Sequence, residues 1–148
     1  NVYDGYLIVV GVGYSTYDPE YACLTSFVRS RIIFTGALNA YEIKSLYLQA
    51  DMLFNPTLHE TFGLTNIEAL LCGCRVLTTD RHAVFEITKG RCDYLKNVLS
   101  FKDTYRQLAD LILDKNAKGI PDCLPFDEYR WSHVAQRYFD WYEANYEK

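Results

Sequence analysis

Residues 51–80 read DMLFNPTLHETFGLTNIEALLCGCRVLTTD, and the fold follows from this stretch. An apolar run, Met52 to Asn55, has the length and side chains of a buried strand and ends at Pro56. A polar loop carrying Glu60 follows, and Phe62-Gly63-Leu64 turns the chain into a helix that holds Glu68. Gly73 stops that helix, and Arg75 to Thr78 forms the next strand. A strand–loop–helix–strand unit builds a parallel sheet, and ligands of such sheets sit beyond the carboxyl ends of the strands. Glu60 and Glu68 fall in that region, with seven residues between them, and the spacing predicts that both face one pocket. The first N–H groups of a helix lack intrahelical acceptors and sit at its positive end, so the backbone near Gly63, Leu64 and Thr65 is a candidate anion site. Carboxylates for hydroxyls beside N–H groups for phosphate fit a ligand that is part sugar and part phosphate. Thr65-Asn66-Ile67-Glu68 is also a capping box, which would give Glu68 a purely local duty; Glu60 taken alone is more often a solvated loop charge.

The rest of the chain repeats the alternation. Tyr6 to Val10 and Arg31 to Thr35 are further strands, so strands are predicted near 6–10, 31–35, 52–55 and 75–79 in a parallel sheet covered on both faces. Gly11-Val12-Gly13 ends the first in a G-x-G turn without the third glycine of a dinucleotide fingerprint. Asp18-Pro19 opens a helix over about 20–29, and Asn39 caps a helix whose core stripe is Ile43, Leu46, Tyr47 and Ala50. Phe85-Glu86-Ile87 is a short helix, Lys89-Gly90 a turn, and 103–113 an amphipathic helix with Tyr105, Leu108, Leu111 and Ile112 on one face. Residues 120–125 read as a loop, and Ser132 as the cap of a last helix rich in tyrosine and tryptophan. Those aromatics either fill the core or mark a surface that packs on parts outside this sequence.

With 148 residues, 49% of them hydrophobic and 16% aromatic, the chain supports one domain with a real core. The net charge of -4 comes without a basic stripe, which argues against nucleic-acid binding. No apolar run is long enough to cross a bilayer, and no signal peptide is visible. Five cysteines without a C-x2-C pair, and three histidines without zinc spacing, read as reduced thiols and no metal site. Cys72 and Cys74 are too close in sequence for an easy bridge. No D-x-D is present to clamp a diphosphate through a metal. The one methionine is Met52, so the sequence reads as a piece of a longer protein.

The order Glu60-Thr61-Phe62-Gly63-Leu64…Glu68-Ala69-Leu70…Gly73…Val76 resembles the E-x7-E motif of retaining glycosyltransferases of family 4. Ile8 to Gly13, Ile33 to Leu38, Ala50-Asp51…Asn55-Pro56-Thr57 and Tyr129 to Ala135 match further landmarks in the same order. The resemblance implies a Rossmann-like α/β domain, a three-layer parallel sheet flanked by helices. Residues 1–148 would form the nucleotide-sugar-binding, C-terminal half of a GT-B fold. It implies that Glu60 is the catalytic-site carboxylate orienting the donor sugar, that Phe62, Gly63, Leu64 and Thr65 hold sugar and phosphate, and that Glu68 takes the ribose. Gly36, Ala37 and Leu38 would meet the base. The activity implied is metal-independent hexosyl transfer from a nucleoside diphosphate sugar, without a cofactor. It would reside in a cytoplasmic protein that could also touch a membrane through its other domain. The family's first strand–helix unit, with the Arg and Lys that grip the diphosphate, and its acceptor domain would lie outside these residues, leaving this piece inactive by itself. Where the family has glycines before the acidic position of Phe85-Glu86-Ile87, this sequence has Arg81-His82-Ala83. A non-catalytic nucleotide-sugar-binding subunit and a sugar-nucleotide epimerase of the same fold are the other readings.

Overall fold

Strand β1 (Leu7–Val10) pairs in parallel with β2 (Ile32–Gly36), in a computed structural model that describes residues 4–13, 15–81, 83–96, 101–114 and 130–146. A second parallel sheet has the order β3 (Met52–Asn55), β4 (Arg75–Thr79), β5 (Asp93–Leu95). All strand–strand ladders between these named strands are parallel, each crossed by helices, so the α/β architecture stands. The four expected strands are present, β3 at its expected bounds; β5 is additional. The strands form two hydrogen-bonded groups, and β1 and β3 each keep one edge unpaired among the described residues.

Between β1 and β2 the expected single helix is two short ones, α1 (Pro19–Ala22) and α2 (Ser26–Arg29). The break has a local cause. Thr25 turns extended and its hydroxyl accepts from the N–H of Val28, so it caps a new helix instead of continuing the old one. Asp18 does not cap α1; its carboxylate accepts from the N–H of Ser15. In α3 (Ala40–Gln49) Asn39 caps as expected: its Oδ1 accepts from Tyr41 and Glu42, and Glu42 closes the box by accepting from the Asn39 N–H at 2.8 Å. Of its predicted stripe, Ile43, Leu46 and Tyr47 are half-buried, while Ala50 is exposed at the helix end.

The core forms where α4 (Leu64–Leu71) lies on β3 and β4, with α3 against its flank. Ile67, Ala69, Leu70, Cys74, Val76 and Ile87 make one buried cluster, and Tyr47, Leu53 and Phe62 pack on it. α5 (Ala83–Thr88) ends at Lys89 and Gly90, both at positive φ, which turn the chain into β5. Arg75, on β4, joins that strand to β5 and to α6 (Phe101–Leu113): Nε bonds Asp93 at 2.6 Å and Nη2 donates to the Leu111 carbonyl at 2.9 Å. On α6, Leu108, Leu111 and Ile112 face inward, but Tyr105 is exposed, so the predicted face is narrower by one residue.

The expectation of cover on both faces fails for β1. Leu7, Ile8 and Val10 are exposed, because no described element lies over that part of the ribbon. The final helix, α7 (Trp131–Tyr146), begins before Ser132, which therefore sits inside the helix and does not cap it. Its Tyr138, Trp141, Tyr142 and Tyr146 are exposed and so do not fill the core. The loop read at 120–125, and Cys123 with it, lies outside the described residues, as does His82.

Candidate functional site

Beyond the carboxyl ends of β3 and β4 the backbone is held by hydroxyls from β4. The fully buried Thr78 donates from Oγ1 to the Asn55 carbonyl at 2.8 Å, and Thr79 donates to the Thr57 carbonyl at 2.6 Å. Thr57 in turn donates its hydroxyl to the His59 carbonyl at 2.9 Å. These bonds tie the loop carbonyls to β4 and to one another, beside the Thr57 N–H that also donates to the Asn55 carbonyl at 2.9 Å, and they fix the path that delivers Glu60. Across the loop, Asn55 Nδ2 donates to Asn66 Oδ1 at 2.9 Å, which joins the end of β3 to the first turn of α4.

Glu60 is half-buried, and its Oε1 accepts from the backbone N–H of Thr61 at 3.0 Å and, more weakly, of Phe62 at 3.4 Å. It lines an open depression of about 500 Å³ with His59, Thr61 and Ala83. Gly63 is the N-cap of α4 and takes φ 78°, a left-handed conformation that glycine adopts without strain. Its carbonyl accepts from Asn66 at 3.0 Å and Ile67 at 3.3 Å, so the helix starts at Leu64. Thr65 is thus inside the helix, and the capping box predicted for Thr65 and Glu68 does not form. The N–H groups of Leu64 and Thr65 have no acceptor among the described residues, and both residues are exposed. Together with the helix dipole they present a positive end to solvent.

Glu68 is exposed and does not line the depression that takes in Glu60. Its charge acts on α3: the Tyr47 hydroxyl is pushed up to about 12, first by burial and then by the neighbouring Glu68 carboxylate. Gly36, with φ 71°, ends β2 and its carbonyl accepts from the Gly11 N–H at 2.8 Å; Ala37 is exposed and Leu38 half-buried after it. These three stand at the carboxyl end of the other strand pair. Among the described residues no group of His, Cys, Asp and Glu is arranged to hold a metal ion, and no described helix is long and apolar enough to cross a membrane.

Sequence reasoning missed the supports of the loop: Asn55, Asn66, Thr78 and Thr79. Their signal was a polar residue inside each apolar run, which is worth reading as a hydrogen-bonding duty wherever a strand is buried on both faces.

Comparison with known proteins places the chain in a family. Residues 2–114 match the family described as glycosyl transferases group 1. The chain is 27% identical over 140 residues to an uncharacterized glycosyltransferase of Methanocaldococcus jannaschii, covering 88% of this chain and 35% of that protein. It is 32% identical over 113 residues to a serotype-specific mannosyltransferase of Escherichia coli, covering 72% of this chain and 14% of that protein. Alpha-galactosylglucosyldiacylglycerol synthase of Streptococcus pneumoniae is 27% identical over 119 residues, 76% of this chain and 30% of that protein. The chain thus spans about a third or less of the length of these relatives. With a match over most of its length, and with the parallel α/β architecture described above, the chain belongs to the glycosyl transferases group 1 family.

Proposed function

We propose that these residues form the donor-binding half of a retaining glycosyltransferase that moves a hexose from a nucleoside diphosphate sugar to an acceptor, without a metal. The single observation that carries the reading is the juxtaposition beyond the end of β3: a half-buried carboxylate, Glu60, whose side chain lies beside Gly63, the N-cap of the helix whose first N–H groups, of Leu64 and Thr65, are open. A carboxylate orients sugar hydroxyls; the N–H groups stabilise negative charge that grows on the departing diphosphate. Glu60 and Glu68 are the pair of the E-x7-E motif in this reading, Glu68 taking the ribose and Gly36, Ala37 and Leu38 meeting the base. No protein nucleophile is part of it. In this reading a further strand–helix unit, bringing cations for the diphosphate, and an acceptor domain complete the protein. The names of the relatives support hexosyl transfer as the class, without choosing the sugar.

The test separates the two carboxylates in the whole protein. Glu68→Gln weakens calorimetric binding of UDP or GDP by roughly 1.5–3 kcal/mol, the worth of a well-made hydrogen bond to a charged group. Glu60→Gln leaves that binding intact and reduces transfer, because only the sugar meets it. Wild-type affinity in both variants together with wild-type turnover in Glu60→Gln would overturn the assignment.

A further inference from the structure

One buried donor next to Glu60 is unspent. Asn66 is fully buried in the first turn of α4; its Oδ1 serves Asn55, but its Nδ2 has no acceptor among the described residues. Buried amide donors without partners are rare in folded proteins and ask for an explanation. The direction of this one is fixed by Gly63. A Cβ placed on Gly63 would lie 3.2 Å from Asn66 Nδ2 and 3.4 Å from Glu60 Cγ. The amide and the Glu60 side chain therefore flank one gap, and only the absence of a side chain at Gly63 keeps it open. On the far side, Glu60 Oε1 lies against the N–H groups of Thr61 and Phe62.

We propose that Asn66 is a positioning residue for glycosyl transfer: when donor binds, the Glu60 carboxylate leaves the loop N–H groups and takes the Asn66 Nδ2–H across Gly63. One carboxylate oxygen is then anchored on a buried amide and the other is presented to a sugar hydroxyl. The N–H groups of Thr61 and Phe62 are released toward the diphosphate in the same movement. Asn66 has no exposed surface and acts only through Glu60. The inference rests on the role given to Glu60 above. A plainer duty, a staple between β3 and α4 through Asn55, predicts different kinetics.

The test uses the whole protein that carries this chain, with UDP-glucose, UDP-galactose and GDP-mannose as probes and release of the nucleoside diphosphate as readout. Asn66→Ala lowers kcat by about tenfold or more while donor KM stays within about threefold, the pattern of an interaction made in the transition state. Asn55→Ala breaks the staple, leaves Nδ2 in place, and loses less. In a Glu60→Ala background, which removes the acceptor, Asn66→Ala has no further effect, because the coupled pair is already broken. Should Asn66→Ala not fold, Asn66→Asp carries the test: it keeps the shape and the acceptor for Asn55 and sets an oxygen where the Nδ2 donor stood, so kcat falls while donor KM holds, measured below the melting temperature, which a buried carboxyl group lowers. Equal losses in Asn55→Ala and Asn66→Ala, or losses that multiply in the Glu60→Ala background, overturn the positioning role. Normal turnover in the Asn66 variants beside an impaired Glu60→Gln overturns this inference alone. Normal turnover in Glu60→Gln, or no release from any of the three probes, overturns the functional reading with it.

Discussion

β1 and β2 pair in parallel just as β3, β4 and β5 do, yet only the second group has an interior. Leu77 and Val76 of β4 are essentially out of solvent, whereas Leu7 of β1 is 51% exposed and Ile33 of β2 46%. An arginine ion pair at 2.6 Å occurs in each half among the described residues, and the setting again differs: Arg75–Asp93 is mostly covered, while Asp4, the partner of Arg31, is open to water. An exposed pair of that kind contributes little. Arg31 also lies over the Phe27 ring, 4.7 Å from its centroid, a contact that ties α2 to the start of β2 without enclosing either. The difference teaches that backbone pairing alone does not make a parallel sheet stable; cover on both faces does, and α3, α4 and α6 supply cover on the β3–β5 side.

The sharpest way to break the comparison is to cut one leucine from each half. Leu77→Ala should cost roughly 2–5 kcal/mol, the range for truncating a fully buried aliphatic side chain in a packed core. Leu7→Ala should cost no more than about 0.5 kcal/mol, as surface positions do. Urea melts of both variants decide it. An equal loss in the two would mean that β1 is covered in the protein in solution, and the contrast would then belong to this stretch of chain and not to the fold.

How much of this contrast was legible in the sequence depends on the range of the interactions involved. The bounds of β3, the stop at Gly73 and the cap at Asn39 were readable because each is set within a few neighbouring residues. β5 was missed because three residues beginning with Asp93 give no periodicity to read. The split into two sheets was invisible, since which strands meet is decided by packing and not by local pattern. In the candidate site, Glu60 and Gly63 were found from their places between a strand and a helix. The Asn55–Asn66 bond spans eleven positions and no local rule points to it. The Thr65 capping box was a false local signal: Gly63 offers its carbonyl two residues earlier, and the helix takes it.

A second pair of substitutions sharpens the comparison at the glycines. Gly63 and Gly90 both take positive φ, 78° and 72°, so alanine is strained at either, by about 1–2 kcal/mol. Only at Gly63 does the new Cβ also press on neighbours, Asn66 Nδ2 at 3.2 Å and Glu60 Cγ at 3.4 Å; at Gly90 there is nothing within 4 Å. Gly63→Ala should therefore lower the melting temperature more than Gly90→Ala. Equal shifts would show that the gap beside Asn66 yields freely and that the loop is looser than its hydrogen bonds imply.

The smallest expected effect is chemical. Cys23 is exposed near the end of α1 in the open half, whereas the Cys92 thiol, beside β5, is pushed up to about 11, chiefly by burial. Alkylation requires the thiolate, so iodoacetamide at pH 8 should label Cys23 well before Cys92, as peptide mapping with time would show. The same shift fixes a sign for stability. A thiol whose folded value lies above its ordinary 9.0 holds its proton longer in the native state, so its contribution is intact below pH 9. That contribution is lost as pH rises toward about 11, and Tyr47, raised from 10.0 to about 12, extends the loss upward. Both groups belong to the covered half. Urea midpoints should therefore begin to fall above pH 9, and a Cys92→Ala variant should show a shallower fall between pH 9 and 11 than the parent. Identical slopes would mean that Cys92 titrates as freely as an exposed thiol, and that water reaches further under β5 than its buried Leu95 indicates.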